Sequence, residues 1–160
     1  MDRAVHNDGR ARTMAVATAL ADDLERIAVG AVGLTTRVLT ETAPHHELTF
    51  PQWRTLLVVG DQADGVRVGT AATRVGTTLP ATGRLLRRLE RRGLLSLAVE
   101  DRDRRATRAT LTDEGRRVRS AILAQRRASL RGIAAGLPAS THADLAAGLR
   151  AIAVALDRFA

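Results

Sequence analysis

The side chains with the most chemistry to offer in this sequence are arginines, and they are concentrated. All 25 basic residues are arginine and none is lysine. Residues 84–131 hold 15 of them against 6 acids, a local charge of +9, while the remainder sums to −1. A guanidinium carries five donors in a planar fork that matches phosphate oxygens and the edge of guanine, so a field of arginines points to a polyanion as partner. Two stretches carry most of it, TLPATGRLLRRLERRGLL over 78–95 and VEDRDRRATRATLT over 99–112. A charge run alone usually marks a solvated face, so the meaning of these arginines depends on the elements that array them.

Other chemistries find little support. The chain has no cysteine, which removes disulfides, thiolate metal sites and thiol redox sensing. No glycine-rich phosphate loop, Ser-His-Asp setting or framed pair of carboxylates occurs, so the chain is not expected to be an enzyme and no cofactor is expected. His45 and His46 stand beside Glu47, but adjacent histidines in a loop are more often solvated than ligating, and no metal site is assigned. Single-stranded nucleic acid is held by stacking bases on aromatic rings. The only aromatics, Phe50, Trp53 and Phe159, all lie outside the basic segment, which favours duplex DNA. The stretch MAVATALA is cut short by Asp22 and Asp23, so no membrane segment or signal core is expected and the protein reads as cytoplasmic.

The elements follow from periodicity and punctuation. Leu20, Leu24, Ile27, Ala31, Leu34 and Val38 alternate four and three apart, one stripe of a long helix, and Leu145, Leu149, Ile152, Leu156 and Phe159 repeat the device at the other end. The two stripes either pack within one bundle or pair two chains, and seam-like stripes at both termini favour a homodimer. In between, LTFPQW offers Thr49 as N-cap with Gln52 three residues on, a capping box, and predicts a helix from about Phe50 to Val59. VGTAATRVG predicts a short helix ending at Gly76, with Ala72 small enough to let the next helix cross closely. The third helix is capped by Thr78, carries Pro80 in its first turn and stops at Gly93.

After Gly93 the period changes to two. Leu95, Leu97 and Val99 alternate with Ser96, Ala98 and Glu100, and alternation resumes from Ala106 to Leu111, so residues 100–105 read as a hairpin tip. Thr112, followed by Asp113 and Glu114, caps a further helix to about Ala134, although Gly115 denies it a full capping box. Pro138 and Ser140 mark the start of the last helix.

Two short helices joined by a glycine turn, then a basic hairpin, make the winged helix-turn-helix plan. On the third helix Thr82, Leu85, Leu86 and Leu89 share one side, with Arg84, Arg87, Arg88 and Arg91 opposite, beside Pro80 and Thr77. The N-terminal end of such a helix meets base edges, which assigns Thr77, Thr78, Pro80, Ala81 and Arg84 to the groove, with Arg84 the best placed to grip a guanine. Arg87, Arg88 and Arg91 are placed for phosphates, Glu90 being their partner if the face is merely solvated.

The run from LTFPQW through TLPATGRLLRRLERRGLL to DRDRRATRATLTDEG resembles the multiple-antibiotic-resistance regulator (MarR) family of winged-helix transcription factors. Its most specific piece is Asp103-Arg104-Arg105, five residues, then Leu111-Thr112, which reproduces that family's wing signature. The resemblance implies a fold that is mainly α with a small β-hairpin wing, flanked by N- and C-terminal dimerisation helices. It implies boundaries at 1–13 for a disordered tail, 14–47 for the first dimerisation helix and its loop, 48–112 for the DNA-binding domain and 113–160 for the remaining helices. It also implies that Arg105, with Arg104, reaches a minor groove, and that Asp103 shapes the wing; Arg102 and Arg108 are left without a settled role. A small aromatic effector near the first helix and Trp53 is implied too, and the expected function is sequence-specific regulation, most simply repression. Where the family usually has hydroxyl or amide side chains, this chain has Leu79, Ala81 and Gly83. That departure keeps open a low-specificity architectural DNA protein on the same fold.

Overall fold

The described residues form six α-helices and a three-stranded antiparallel sheet. The computed structural model describes residues 2–43, 46–100 and 103–158, with side chains described from residue 12 and, after the hairpin connection, from residue 106. Two compact units result, Met1–Arg37 and Val38–Ala160. The first is the greater part of α1, Asp2–Thr42. The helix starts at Asp2, within the stretch 1–13 expected as a tail. Polarity argues against burial, not against helix, and Arg, Ala and Met propagate a helix once it is nucleated. Leu20 and Ile27 of the predicted stripe are 50% and 56% exposed.

In the second unit the chain orders itself by its caps. Helix α2, Phe50–Gly60, starts where Gln52 Oε1 accepts the Thr49 N–H at 3.0 Å, with Pro51 in the first turn. A two-residue strand β1, Val66–Arg67, leads directly into α3, Val68–Val75. Gly76 ends α3 with φ +76°, and both its N–H and that of Thr77 return to Ala72 O, at 3.0 and 3.1 Å. Helix α4, Leu79–Arg91, then begins with the Thr78 hydroxyl accepting the Ala81 N–H. Strand β2, Leu95–Glu100, pairs with β3, Asp103–Leu111, and β1 lies on the other side of β3 with Val66 opposite Ala109. The ladder reaches Glu100↔Asp103, so the connection is shorter than the tip expected over 100–105. Backbone pairing needs no apolar alternation, which is why a charged stretch conceals it.

Helices α5, Asp113–Ala135, and α6, His142–Leu156, complete the chain, with a 3₁₀ turn at Ala139–Thr141 before α6. The core joins Trp53, Leu56 and Val59 of α2, Ala71 and Ala72 of α3, Leu86 and Leu89 of α4, Leu94, Leu95 and Ala109 at the sheet, and Ile122 of α5, all buried. Val38 and Leu39, in the last turns of α1, are buried as well.

Gly115, which spoils the capping box, is explained by a close approach. A Cβ at that position would stand 1.8 Å from Leu94 O, so no side chain fits where α5 meets the end of α4. A capping interaction contributes about 1 kcal/mol, less than an overlap of that depth costs, and the glycine wins. The Thr112 cap remains, its hydroxyl accepting the Gly115 N–H at 3.0 Å and donating to Gly93 O at 2.6 Å. Gly115→Ala is therefore expected to destabilise the protein by about 1–3 kcal/mol in urea unfolding. Unchanged stability would contradict this packing.

Candidate nucleic-acid interface

Helix α4 divides its side chains cleanly. Thr82, Leu86 and Leu89 are buried, Leu85 is half-buried, and Arg84, Arg87, Arg88 and Arg91 are exposed. At its N-terminal end Thr77 and Ala81 are half-buried and Thr78 and Pro80 exposed, so the groove-facing residues read from the sequence do lie together on one helix end. The Thr78 hydroxyl also serves as the cap. Glu90 does not neutralise this face. Its carboxylate accepts the Leu97 N–H at 3.1 Å and joins α4 to β2.

The arginines sort into two groups. Those around the helix are committed to the fold. Arg54 donates to Val75 O and Arg74 O at the end of α3, a favourable place for a cation. Arg74 and Arg119 share Asp61, at 3.2 and 2.7 Å. Arg92 donates to His46 O, Glu47 O and Gln52 Oε1, tying the end of α4 to the start of α2. Arg116 and Arg117 pair with Asp113 and Glu114. Among the described residues, Arg84, Arg87, Arg88 and Arg91 form no ion pair with any acid, so α4 presents four uncompensated cations within about two turns.

At the end of β2, beside the hairpin connection, Glu100 sits between two arginines. Its carboxylate accepts from Arg67 Nε at 3.1 Å and from Arg108 Nε at 2.9 Å, and Arg108 also donates to Gly65 O at 3.2 Å. The Glu100 side chain is only 14% exposed. Arg108 is thereby a clasp residue. Asp103, Arg104 and Arg105 belong to β3 by backbone, but their side chains lie outside the described residues, as do Arg102 and His45. Between α4 and the sheet runs a cleft of about 570 Å³, lined by Leu79, Pro80, Gly83, Arg87 and Leu97 among others.

A helix-turn-helix with a basic second helix and an antiparallel wing is thus in place. A family model described as MarR family matches residues 46–106, from the loop before α2 into β3. A transcriptional regulator of the MarR family from Rhodococcus sp. RHA1 has the same fold, with 27% identity and a TM-score of 0.65 over 84% of this chain and 94% of that one. Over this segment, and in its fold, the chain is similar to MarR-family regulators. RV1404 from Mycobacterium tuberculosis is similar over 87% of this chain and 92% of its own, at 25% identity and a TM-score of 0.77. The HTH-type transcriptional regulator TtmR of Methylorubrum extorquens (strain PA1) is 40% identical over 76 residues, which are 45% of this chain and 36% of that protein. This chain therefore spans only about a third of that relative.

Trp53 is buried in the core and lines neither that cleft nor a smaller one bounded by Arg54, Asp61 and Arg74. His46 Nε2 stands 3.2 Å from Glu114 Oε1, and no group of three metal-binding side chains occurs among the described residues. No described helix is long and apolar enough to cross a membrane.

The wing clasp was not visible beforehand. Residues 67 and 100 are brought together by pairing with β3, and a two-residue strand has no period to detect. The Arg67 hydrogen bonds, then those of Arg108, hold the Glu100 carboxyl below its ordinary value of 4.5 against the opposing effect of burial. A depressed carboxylate contributes stability that is present above its unfolded value and lost as pH falls through its folded one. Glu100→Gln is expected to lower stability at neutral pH and to flatten the loss of stability below about pH 4.5. Identical acid unfolding profiles for the two proteins would contradict the clasp.

Proposed function

We propose that this chain is a homodimeric regulator of transcription, most simply a repressor, that binds a pseudo-palindromic site on duplex DNA. The observation that carries this reading is the row of four unpaired arginines on α4, on a helix whose opposite side is buried. Phosphates along a duplex are the natural partner of such a row, and binding releases condensed counterions. In the reading Thr77, Thr78, Pro80, Ala81 and Arg84 face base edges, Arg87, Arg88 and Arg91 meet phosphates, and Arg104 and Arg105 reach a flanking minor groove beside Asp103. Residues 48–112 form the DNA-binding domain and 14–47 and 113–160 the dimerisation helices. The exposure of Leu145, Leu149 and Leu156 on α6, at 43%, 54% and 61%, supports that division, because large apolar side chains arrayed on one element ask for cover. The protein acts without catalysis, in the cytoplasm, and a small aromatic effector alters its affinity for DNA.

A second reading, a low-specificity architectural protein, draws on Leu79, Ala81 and Gly83, which offer no hydrogen bonds to bases. Gel-shift titration with the DNA upstream of its own gene, at several salt concentrations, separates the two. Affinity for that DNA well above affinity for random duplex supports the regulator, and near equality supports the architectural protein.

Arg84→Ala is expected to cost about 1–3 kcal/mol and to relax preference at one base pair, whereas Arg91→Ala weakens all sequences alike and lowers the salt slope by about 1. Two variants that behave identically would overturn this division of roles. In equilibrium sedimentation a dimer is expected, and a monomer at micromolar concentration would remove the symmetric site.

A further inference from the structure

Helix α4 opens on a side chain that its own protein does not use. Leu79 is the first residue of the helix and is 56% exposed, on the flank of the face that buries Thr82 and Leu86, at the edge of the cleft between α4 and the sheet. Pro80 beside it is exposed, Ala81 is half-buried, and Gly83 has no side chain. Over the first turn and a half the only side-chain hydrogen-bonding groups outside the core are the hydroxyls of Thr77 and Thr78, and the second already accepts the Ala81 N–H. This end of the helix is therefore an apolar tip set among arginines.

Gly83 points the same way. A Cβ there would meet only Arg87 Nη2, at 3.7 Å, so packing does not require the glycine. Glycine inside a helix is unfavourable, and with no internal contact that requires it, the missing side chain leaves room for another surface to approach the helix axis. In the major groove the edges of the base pairs are hydrogen-bonding groups with one apolar exception, the C5-methyl group of thymine.

We propose that Leu79, with Pro80 behind it, is a specificity-determining residue that reads the C5-methyl group of a thymine, the close approach being permitted by Gly83. The proposal rests on the reading of the chain as a duplex-DNA binder and adds the chemical group it selects. Arg84 supplies a polar contact one turn further on, so a half-site combines one methyl-bearing position with one guanine.

The test starts from a duplex selected from a random pool by the wild-type protein. Each thymine is replaced singly by deoxyuridine, which removes the methyl group and leaves the pairing intact. One position per half-site is expected to lose about fourfold in affinity, the equivalent of removing one methylene-sized group from contact. Leu79→Ser is expected to lose a similar factor on the thymine duplex and to bind thymine and uracil equally at that position. Leu79→Met keeps the discrimination, and thermal melts show both variants folded as the wild type. If the losses from Leu79→Ser and from uracil multiply at every thymine, or if no thymine is sensitive, the proposal is overturned while the DNA-binding reading stands. If the wild type shows no preference in the selection, the sequence-specific reading itself fails.

Discussion

The arrangement of the second unit depends on one backbone joint, at Gly93, Leu94 and Leu95. Here α4 ends, β2 begins, β3 returns and α5 starts. Gly93 has φ +68°, and Leu94 N–H returns to Leu89 O at 3.0 Å to close the helix. The Thr112 N–H donates to Leu94 O at 3.2 Å, its hydroxyl donates to Gly93 O, and Gly115 lies so close to Leu94 O that no side chain fits between them. Leu94 and Leu95 are themselves buried. Because the contact is backbone on backbone, it fixes the wing and the basic helix with little freedom in any rotamer, and it attaches α5 to the end of α4 within one turn.

With that joint in place, the arginines take two kinds of work. Arg54, Arg67, Arg92 and Arg108 bind carbonyls or Glu100 and hold elements together. Arg84, Arg87, Arg88 and Arg91 stand free among the described residues. An exposed ion pair contributes about 0–1 kcal/mol to stability, so neutralising the second group internally would have gained little. Left unpaired, each can displace a counterion from a phosphate, and the salt dependence of binding grows with every such contact. The charge excess is thus better understood as held in reserve for a partner than as a stabilising feature of the fold.

Much of this was legible in the sequence wherever a local rule operates. Thr49 with Gln52, Thr78 with Pro80, Gly76 and Gly93 mark helix ends because capping acts within one turn, and the sides of α4 follow from the 3.6-residue period. The features that escaped depend on residues far apart in the chain. Strand β1 is two residues long, and only its partner β3 makes it a strand. Glu100 reads as part of a charged tip until Arg67 is brought beside it. Arg92 reads only as one more arginine in the basic stretch 78–95, yet it reaches back 46 residues to His46 O. Gly115 reads as a defect in a cap because the obstacle, Leu94 O, lies 21 residues earlier. The aromatic effector was implied by family resemblance alone, and Trp53, the residue named for it, is a core side chain.

The central claim is that α4, on its arginine side, is where this chain meets duplex DNA. Hydrogen–deuterium exchange of the whole protein, with and without a mixed-sequence duplex at low ionic strength, tests it without knowledge of the operator. The account predicts slowed exchange over residues 77–91 and at the start of β3, with α6 unchanged by DNA. Protection that leaves α4 untouched and falls on other elements would contradict it.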